Sequence, residues 1–585
     1  MTGSDAPPAP ERSTGTRWRS LGLVLRRVRT REWQREHAPA LVLGVGVVAQ
    51  LALSIWLTRG GWFFLDAWHY ILRRGPVPEA DLGLFEPWGG HWQTIPILLY
   101  RLLFSVFGMH TYAPYVLVAT LLHLVIVVLS YLILRRLDTH RWVAVVIAWA
   151  ILFYGAGGEV FVWDGPIPLT AALSLTLTAV HLSLRKDFER PALVVGALLL
   201  LAAVMCSVAG VVGAVLFGVL VYTRRGFVTM VAVVGPAAVA FTTWYLVQGR
   251  HDGRVAIGGW DYARLPEFVW TGLTGSMGAI FGIPEWGGAI LIALIVTALV
   301  ARGVPDALQQ YAWAAILAAF TQMTLAGFAA LSFGVDASLV SRYKYISFVL
   351  LAPSIAIALT VVANAVRANQ GQGRRAVPWV IAGALLLAYT GNGLLRERYE
   401  ANYVDSASSV PEAWALGTKA AVEAGEQILT HTPTGPFNGD IDIRLLATPV
   451  ILDSLPDGTA TGKDRLEAEA QFFVGVGADD YGLASPVQLV SRSFSQPLVG
   501  GSGCSTHTAN TFTPEITFET GKGTEIAVTS ASNRIVTFLS RDGEESEPRE
   551  WPVEADKPVY IAVSAQDAEL TVEFDLGGDY LICKQ

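Results

Sequence analysis

Apolar positions over most of the first 400 residues run together instead of alternating with polar ones. Such runs occupy 40–57, 115–134, 142–154, 168–184, 191–206, 208–222, 227–247, 287–300, 311–331, 346–362 and 377–395. They predict about eleven membrane-spanning helices, because a helix needs roughly 20 apolar residues to cross a bilayer core. Several runs are shorter than that, and the pair around Ser207 reads either as two short helices or as one long broken helix. The pattern differs in two places. Residues 63–112 follow the first run but start too polar to be another span, and 95–107 then reads as an amphipathic helix lying at the membrane surface. Beyond Leu395, 397–425 has helical character and TPTGPFNGD is turn-rich. From Asp440 come short β-type runs: TPVILDSL, QFFVGVG, VQLVSRSF, TEIAVTS, RIVTFLS, PVYIAVS, LTVEFDL and DYLICKQ. Their spacing predicts a β-sandwich or jelly roll. The expected architecture is therefore a basic tail (1–38), a transmembrane domain (39–396), a linker with a helix (397–439) and a β-rich domain (440–585).

Composition agrees with this division: 52% of residues are hydrophobic and only 16% charged, which places the chain in the membrane class. The net charge of −7 is unevenly distributed. The first 38 residues are rich in arginine, and 21–35 reads as an amphipathic helix on the inner leaflet or as a solvated basic tail. Arg135, Arg136 and Arg141, Arg185, Lys186 and Arg190, Arg224 and Arg225, Arg302, and Arg367, Arg374 and Arg375 fall in every second loop. By the positive-inside rule these loops and the N-terminus are cytoplasmic, and an odd number of spans leaves the C-terminal domain outside the cell. That domain is strongly acidic, which argues against nucleic acid as a partner. No cleavable signal peptide is expected, because Arg59 and Gly60 follow the first run instead of a small-residue cleavage site. Cys206 reads as a small buried hydrophobe, while Cys504 and Cys583, in an oxidising compartment, are expected to form a disulfide.

Ionisable residues that could do chemistry gather in the loops on the outer side. The first loop holds Asp66, His69, Glu86 and His91 among aromatic residues, with Arg73 and Arg74 nearby; the second holds Glu159 and Asp164; and the fifth ends in SRYKY, 341–345. Such groups beside a bilayer are costly and mark functional sites. FFLDAWHY with its early Asp66, His91 in GGHWQTIPILLYRLLFSVFG, and a second span ending in Arg135, Arg136 and Leu137 resemble the GT-C superfamily of polytopic glycosyltransferases. SRYKY is similar to an Arg-Tyr element of some members. The resemblance covers the layout from about residue 40 to 395. It implies a polyprenyl-phosphate-linked sugar donor and an extracytoplasmic glycan, lipid or protein acceptor in the cell envelope. It also implies inverting transfer of a hexose or pentose. In that reading Asp66 is the base, His91 orients the acceptor or phosphate, and Arg342, Tyr343 and Lys344 bind the lipid phosphate. Many members carry paired acids in the first loop, whereas Ala67 follows Asp66 here. A second carboxylate would have to be Glu79, Asp81, Glu86, Glu159 or Asp164, and a divalent metal is left open.

Each residue also has a plainer reading. Asp66 could cap a surface helix. His91 could be a packed interfacial residue, and Arg342 and Lys344 could snorkel to headgroups. Glu159 and Asp164 could be solvated, and HDGR (251–254) is a turn sequence first. His123 and His181, inside spans, are expected to be hydrogen-bonded structural residues. Two other functions remain: a flippase for lipid-linked saccharides, which needs polar groups along its spans, and a non-enzymatic envelope protein acting through its β-domain. That domain has no HExxH, CxxC or nucleophile elbow.

Overall fold

The computed structural model of the chain describes residues 31–75, 82–184, 190–251, 261–280, 282–369, 377–426, 428–429, 443–456 and 460–477. In the C-terminal part it describes 488–492, 494–499, 504–509, 515–520, 524–529, 534–553, 558–565, 568–574 and 579–584. Most of the basic tail, HDGR beyond His251, Glu79, Asp81 and the TPTGPFNGD turn lie outside the described residues.

Among the described residues the helices longer than ten residues are α1 (Arg31–Leu57), α2 (Thr94–Phe107), α3 (Ala113–Arg136), α4 (Arg141–Leu152), α5 (Ile167–Ser183), α6 (Arg190–Val204) and α7 (Ala209–Arg225). They continue with α8 (Phe227–Val247), α9 (Leu265–Gly278), α10 (Gly287–Val300), α11 (Asp306–Ala330), α12 (Ser341–Asn369), α13 (Val377–Glu423) and α14 (Gly462–Phe472). Among the described residues, five segments built on these helices are long and apolar enough to cross a membrane: Glu36–Leu57, Ala113–Arg136, Phe227–His251, Asp306–Phe333 and Ser341–Val366. Shorter apolar helices lie between them. The chain is thus a multi-pass α-helical membrane protein with a smaller C-terminal β-sheet region.

Helix ends follow local chemistry. α3 has a proline in its first turn and ends at Arg135 and Arg136, beside the negative end of its dipole. α7 stops at Gly226, whose φ of 84° is open to glycine. Helix α9 lies in what the sequence pattern predicts as an outer loop (248–285). Its small residues allow close packing: a Cβ on Gly272 would sit 2.6 Å from Met323 Sδ, and one on Gly275 would sit 2.3 Å from Leu339 Cδ2. Helix α13 runs 47 residues, about 70 Å at 1.5 Å per residue, so the expected linker helix continues the last apolar run.

The C-terminal region holds two antiparallel sheets, ordered β1-β10-β6-β12-β4-β3 and β2-β5-β11-β7-β8, with β9 also paired to β7. Their strands are β1 (Val474–Gly477), β2 (Gln488–Arg492), β3 (Phe494–Val499), β4 (Cys504–Ala509), β5 (Glu515–Thr520), β6 (Thr524–Thr529), β7 (Arg534–Arg541), β8 (Glu544–Glu545), β9 (Arg549–Pro552), β10 (Pro558–Val563), β11 (Ala568–Phe574) and β12 (Asp579–Lys584). Ile535 and Leu539 of one sheet, Val559 and Ile561 of the other, and Leu466 of α14 share one core. Two expectations are corrected here. TPVILDSL, expected as a strand, contains a short helix, Pro449–Ser454, with proline in its first turn; a short apolar run does not by itself separate strand from helix. A Cys504–Cys583 disulfide is expected from the sequence, but among the described residues no disulfide is found. The two positions are paired in register on β4 and β12. Backbone proximity alone does not make the bond, which also needs a specific Cβ separation and dihedral.

Two hydrophobic cores matter for function. The larger one lies among the apolar helices and contains Cys206. The second is built on the first loop: Trp62, Phe63, Trp68, Tyr70 and Ile71 pack with Ile97, Tyr100 and Phe104 of α2. It is completed from the C-terminal side by Ala415 and Ala421 of α13, Ile451, and Phe472 of α14. Met109 N–H donates to Ser454 O (2.8 Å), and Trp62 N–H donates to Ser408 Oγ (3.0 Å). α13 and α14 cross so closely that a Cβ on Gly417 would lie 2.4 Å from Asp464 O. The first loop is therefore held from two sides.

Candidate functional site

Asp66 is placed by an unusual piece of backbone. Ala67 N–H donates to Phe64 O (3.2 Å), closing a tight turn in which Leu65 has φ 46° and ψ −112°. That is the first central position of a type II′ turn, normally glycine, and a leucine there stores strain of about 1–3 kcal/mol. Asp66 then opens a helical turn that passes directly into a π-helix, His69–Arg73. Leu65, not Asp66, occupies the cap position. Strained φ and π-turns cluster at functional sites. His69 stacks on Trp88 with ring centroids 3.2 Å apart and accepts from Arg74 Nε at 2.8 Å, which braces the back of this turn.

His91 is placed by a second turn. Trp88 and His91 exchange backbone hydrogen bonds (3.2 and 3.0 Å) around Gly89 and Gly90, whose φ values are 56° and 77°. Two successive positive φ angles are the type I′ requirement, which the Gly-Gly pair meets without Cβ strain. The His91 ring reaches the turn between α6 and α7. There its Nδ1 accepts from Val208 N–H (3.3 Å) and lies 3.1 Å from Ser207 Oγ. Because Nδ1 is an acceptor, the neutral ring carries its proton on Nε2. The α6–α7 turn is tight: a Cβ on Gly210 would lie 2.3 Å from the Ala203 backbone. The apolar stretch around Ser207 is thus two short helices, and Ile95 N–H also docks on its turn, at Met205 O (3.2 Å).

Arg342 and Tyr343 come from the first turn of α12, far along the chain. Arg342 Nη1 pairs with Glu159 Oε1 at 2.5 Å, and its backbone N–H donates to Glu159 Oε2 at 3.2 Å. Ser341 Oγ donates to Ala156 O (3.0 Å), tying the second loop to the same turn. The guanidinium lies over the Tyr343 ring, 5.4 Å from its centroid.

These pieces meet at a cavity of about 420 Å³. Asp66, Tyr70, Trp88, His91 and Gln93 of the first loop line one side; Trp163, Ser207, Arg342 and Tyr343 line others. Apolar residues such as Ala330, Phe333 and Val340 complete the wall. Four of the sequence-predicted site residues, Asp66, His91, Arg342 and Tyr343, are therefore brought together. Three are not on the wall: Glu159 holds Arg342, Lys344 is one residue past the lining, and Asp164 is fully buried behind it. Asp164 accepts from Tyr100 Oη (2.7 Å) and Tyr112 Oη (2.9 Å). Burial pushes its carboxyl up to about 6, against the lowering effect of those two hydrogen bonds, and the nearby Asp66 charge adds to the rise. His123 is structural as expected, bonded to Tyr345 Oη (2.8 Å) and Leu152 O (3.3 Å).

The described residues on the wall do not make up a metal-ligand set. Among the described residues no three His, Cys, Asp or Glu side chains cluster, Asp66 is the one carboxylate on the wall, and Glu159 is engaged by a guanidinium. Ser207, Tyr70, Gln93 and Trp163 were not singled out by sequence reasoning. Only Ser207 left a trace there, as a polar break in an apolar stretch.

No family model matches the chain, and no curated protein matches it. Among solved structures, it is similar to a crystal structure of ArnT from Cupriavidus metallidurans bound to undecaprenyl phosphate. The two are 13% identical, the match covers 69% of this chain and 84% of that one, and the TM-score is 0.41. A likeness at that level is remote and does not by itself establish a shared fold.

Proposed function

We propose that this protein is a membrane glycosyltransferase of GT-C type, taking a sugar from a polyprenyl-phosphate donor to an acceptor hydroxyl of the cell envelope. The observation that carries the reading is one cavity lined by a carboxylate, an imidazole and an arginine–tyrosine pair at the end of a span. In this reading about eleven spans cross the bilayer, the N-terminus is cytoplasmic, and the two sheets form an extracytoplasmic sandwich.

A sugar on a lipid phosphate is already activated. The acceptor oxygen attacks the anomeric carbon from the face opposite the phosphate, its proton passes to Asp66, and the bond from that carbon to the phosphate oxygen breaks. The configuration inverts, and the lipid phosphate leaves with the electron pair. Negative charge grows on the phosphate, where Arg342 and Tyr343 lie. Arg342 spends Nη1 on Glu159, and a guanidinium has further N–H groups to offer a phosphate. Glu159 thereby fixes the arginine in place. His91, held at Nδ1, presents Nε2–H as a donor that orients the acceptor or the phosphate. Asp164, bonded to Tyr100 and Tyr112, anchors the loop that carries Trp163.

The test compares cells producing the natural protein with cells producing Asp66→Asn at equal abundance, with lipid-linked sugars and envelope glycans quantified by mass spectrometry. Accumulation of one polyprenyl-phosphate sugar with loss of one glycan is the expected result. Unchanged profiles would end the reading.

A further inference from the structure

Four tyrosines sit in the core built on the first loop: Tyr70, Tyr100, Tyr112 and Tyr115. Three of them spend their hydroxyls inside the protein. Tyr100 and Tyr112 donate to Asp164 (2.7 and 2.9 Å), and Tyr115 donates to Gly108 O (2.9 Å). Tyr70 differs. Its ring stacks on Tyr100, with centroids 4.3 Å and planes 15° apart, and only 2% of the residue stays exposed. Among the described residues, however, its hydroxyl has no hydrogen-bond partner, and packing does not close the oxygen off. Tyr70 lines the cavity, and the part of it left open includes this oxygen. Phenylalanine would fill the core as well, so packing accounts for the ring and not for the hydroxyl.

The position of Tyr70 says which substrate the hydroxyl meets. Asp66 and Tyr70 are one helical turn apart, and both line the cavity. As the proposed base, Asp66 must face the acceptor hydroxyl whose proton it takes. Arg342 and Tyr343, the groups proposed for the phosphate, come from the first turn of α12 instead. A polar group one turn from Asp66 therefore faces the acceptor. Burial and the Asp66 charge, opposed by Arg74, hold the Tyr70 phenol well above the ordinary phenol range. It keeps its proton and stays able both to donate and to accept.

We infer that Tyr70 is an acceptor-binding residue, its hydroxyl forming a hydrogen bond with an acceptor oxygen next to the hydroxyl that Asp66 deprotonates. This rests on the glycosyltransferase reading and deepens it by naming a residue that holds the acceptor and not the donor.

The full-length protein in lipid nanodiscs would be assayed for transfer of label from metabolically labelled polyprenyl-phosphate sugars, extracted from cells producing Asp66→Asn, to delipidated envelope from cells lacking the protein. Rates are measured against the amount of each. Tyr70→Phe should raise the half-saturating amount of envelope by about tenfold and leave that of the donor lipid unchanged, which also reports intact folding. Tyr343→Phe should do the reverse. If Tyr70→Phe changes neither value, or raises that of the donor, whether alone or together with that of the envelope, the inference falls and the glycosyltransferase reading stands. If the natural protein transfers no label from the lipid to the envelope, the glycosyltransferase reading falls and this inference with it.

Discussion

Replacing Asp164 by Asn isolates the cost of keeping an ionisable group behind the cavity. In the folded chain the carboxyl is fully buried, and its pKa stands at about 6 against an ordinary 3.8. A raised acid pKa means the folded state holds the proton more tightly than the unfolded state. Its stabilising effect is full below 3.8, where both states are protonated, and is lost as pH rises through about 6. The difference of about two units, at about 1.4 kcal/mol each, amounts to roughly 3 kcal/mol by neutral pH. Asparagine does not titrate, can accept from one of the Tyr100 and Tyr112 phenols, and can donate to the other. Any fixed cost of the amide is the same at every pH. The stability difference between the two proteins should therefore shift by about 2–2.5 kcal/mol in favour of the variant between pH 4 and neutrality. Unfolding followed by intrinsic fluorescence in one detergent across that range measures it, with other titrating groups cancelling in the difference. Parallel pH profiles for the two proteins would refute the assignment of this shift to Asp164.

Glu159→Gln keeps the shape at Arg342 but removes the charge, and should weaken binding of polyprenyl phosphate probes or lower turnover by about tenfold, with a loss of about 1–2 kcal/mol in stability because the pair is only partly buried; an unchanged variant would show that the pair does not hold the arginine. Gly90→Ala puts a Cβ on a φ of 77°, should cost about 1–2 kcal/mol and displace His91, and is checked by comparing its melting temperature and activity with those of His91→Ala.

The apolar runs were legible because length and hydrophobicity alone force a helix in a bilayer, where every backbone group must bond within its own segment. Arginine-bearing ends such as Arg135 and Arg136 announced helix stops for equally local reasons. The short β-type runs TEIAVTS and RIVTFLS likewise announced β6 and β7. The first loop stood out because Asp66 and His91 are expensive beside a membrane, and both line the cavity. What each acid does was beyond reach of the sequence. Glu159 and Asp164 lie five residues apart in one loop, yet one meets Arg342 and the other meets Tyr100 and Tyr112. Those partners lie 183, 64 and 52 positions away, and no periodicity encodes such pairings. Gln93 and Trp163 were silent for the same reason, since a single polar or aromatic side chain gains meaning only from what the fold packs around it. Local sequence determined the helices and most strands, whereas the turn that aims Asp66 puts Leu65 at a positive φ that only its surroundings can hold. Tertiary packing alone decided which side chains share the cavity, because burial and partner distance are properties of the assembled chain.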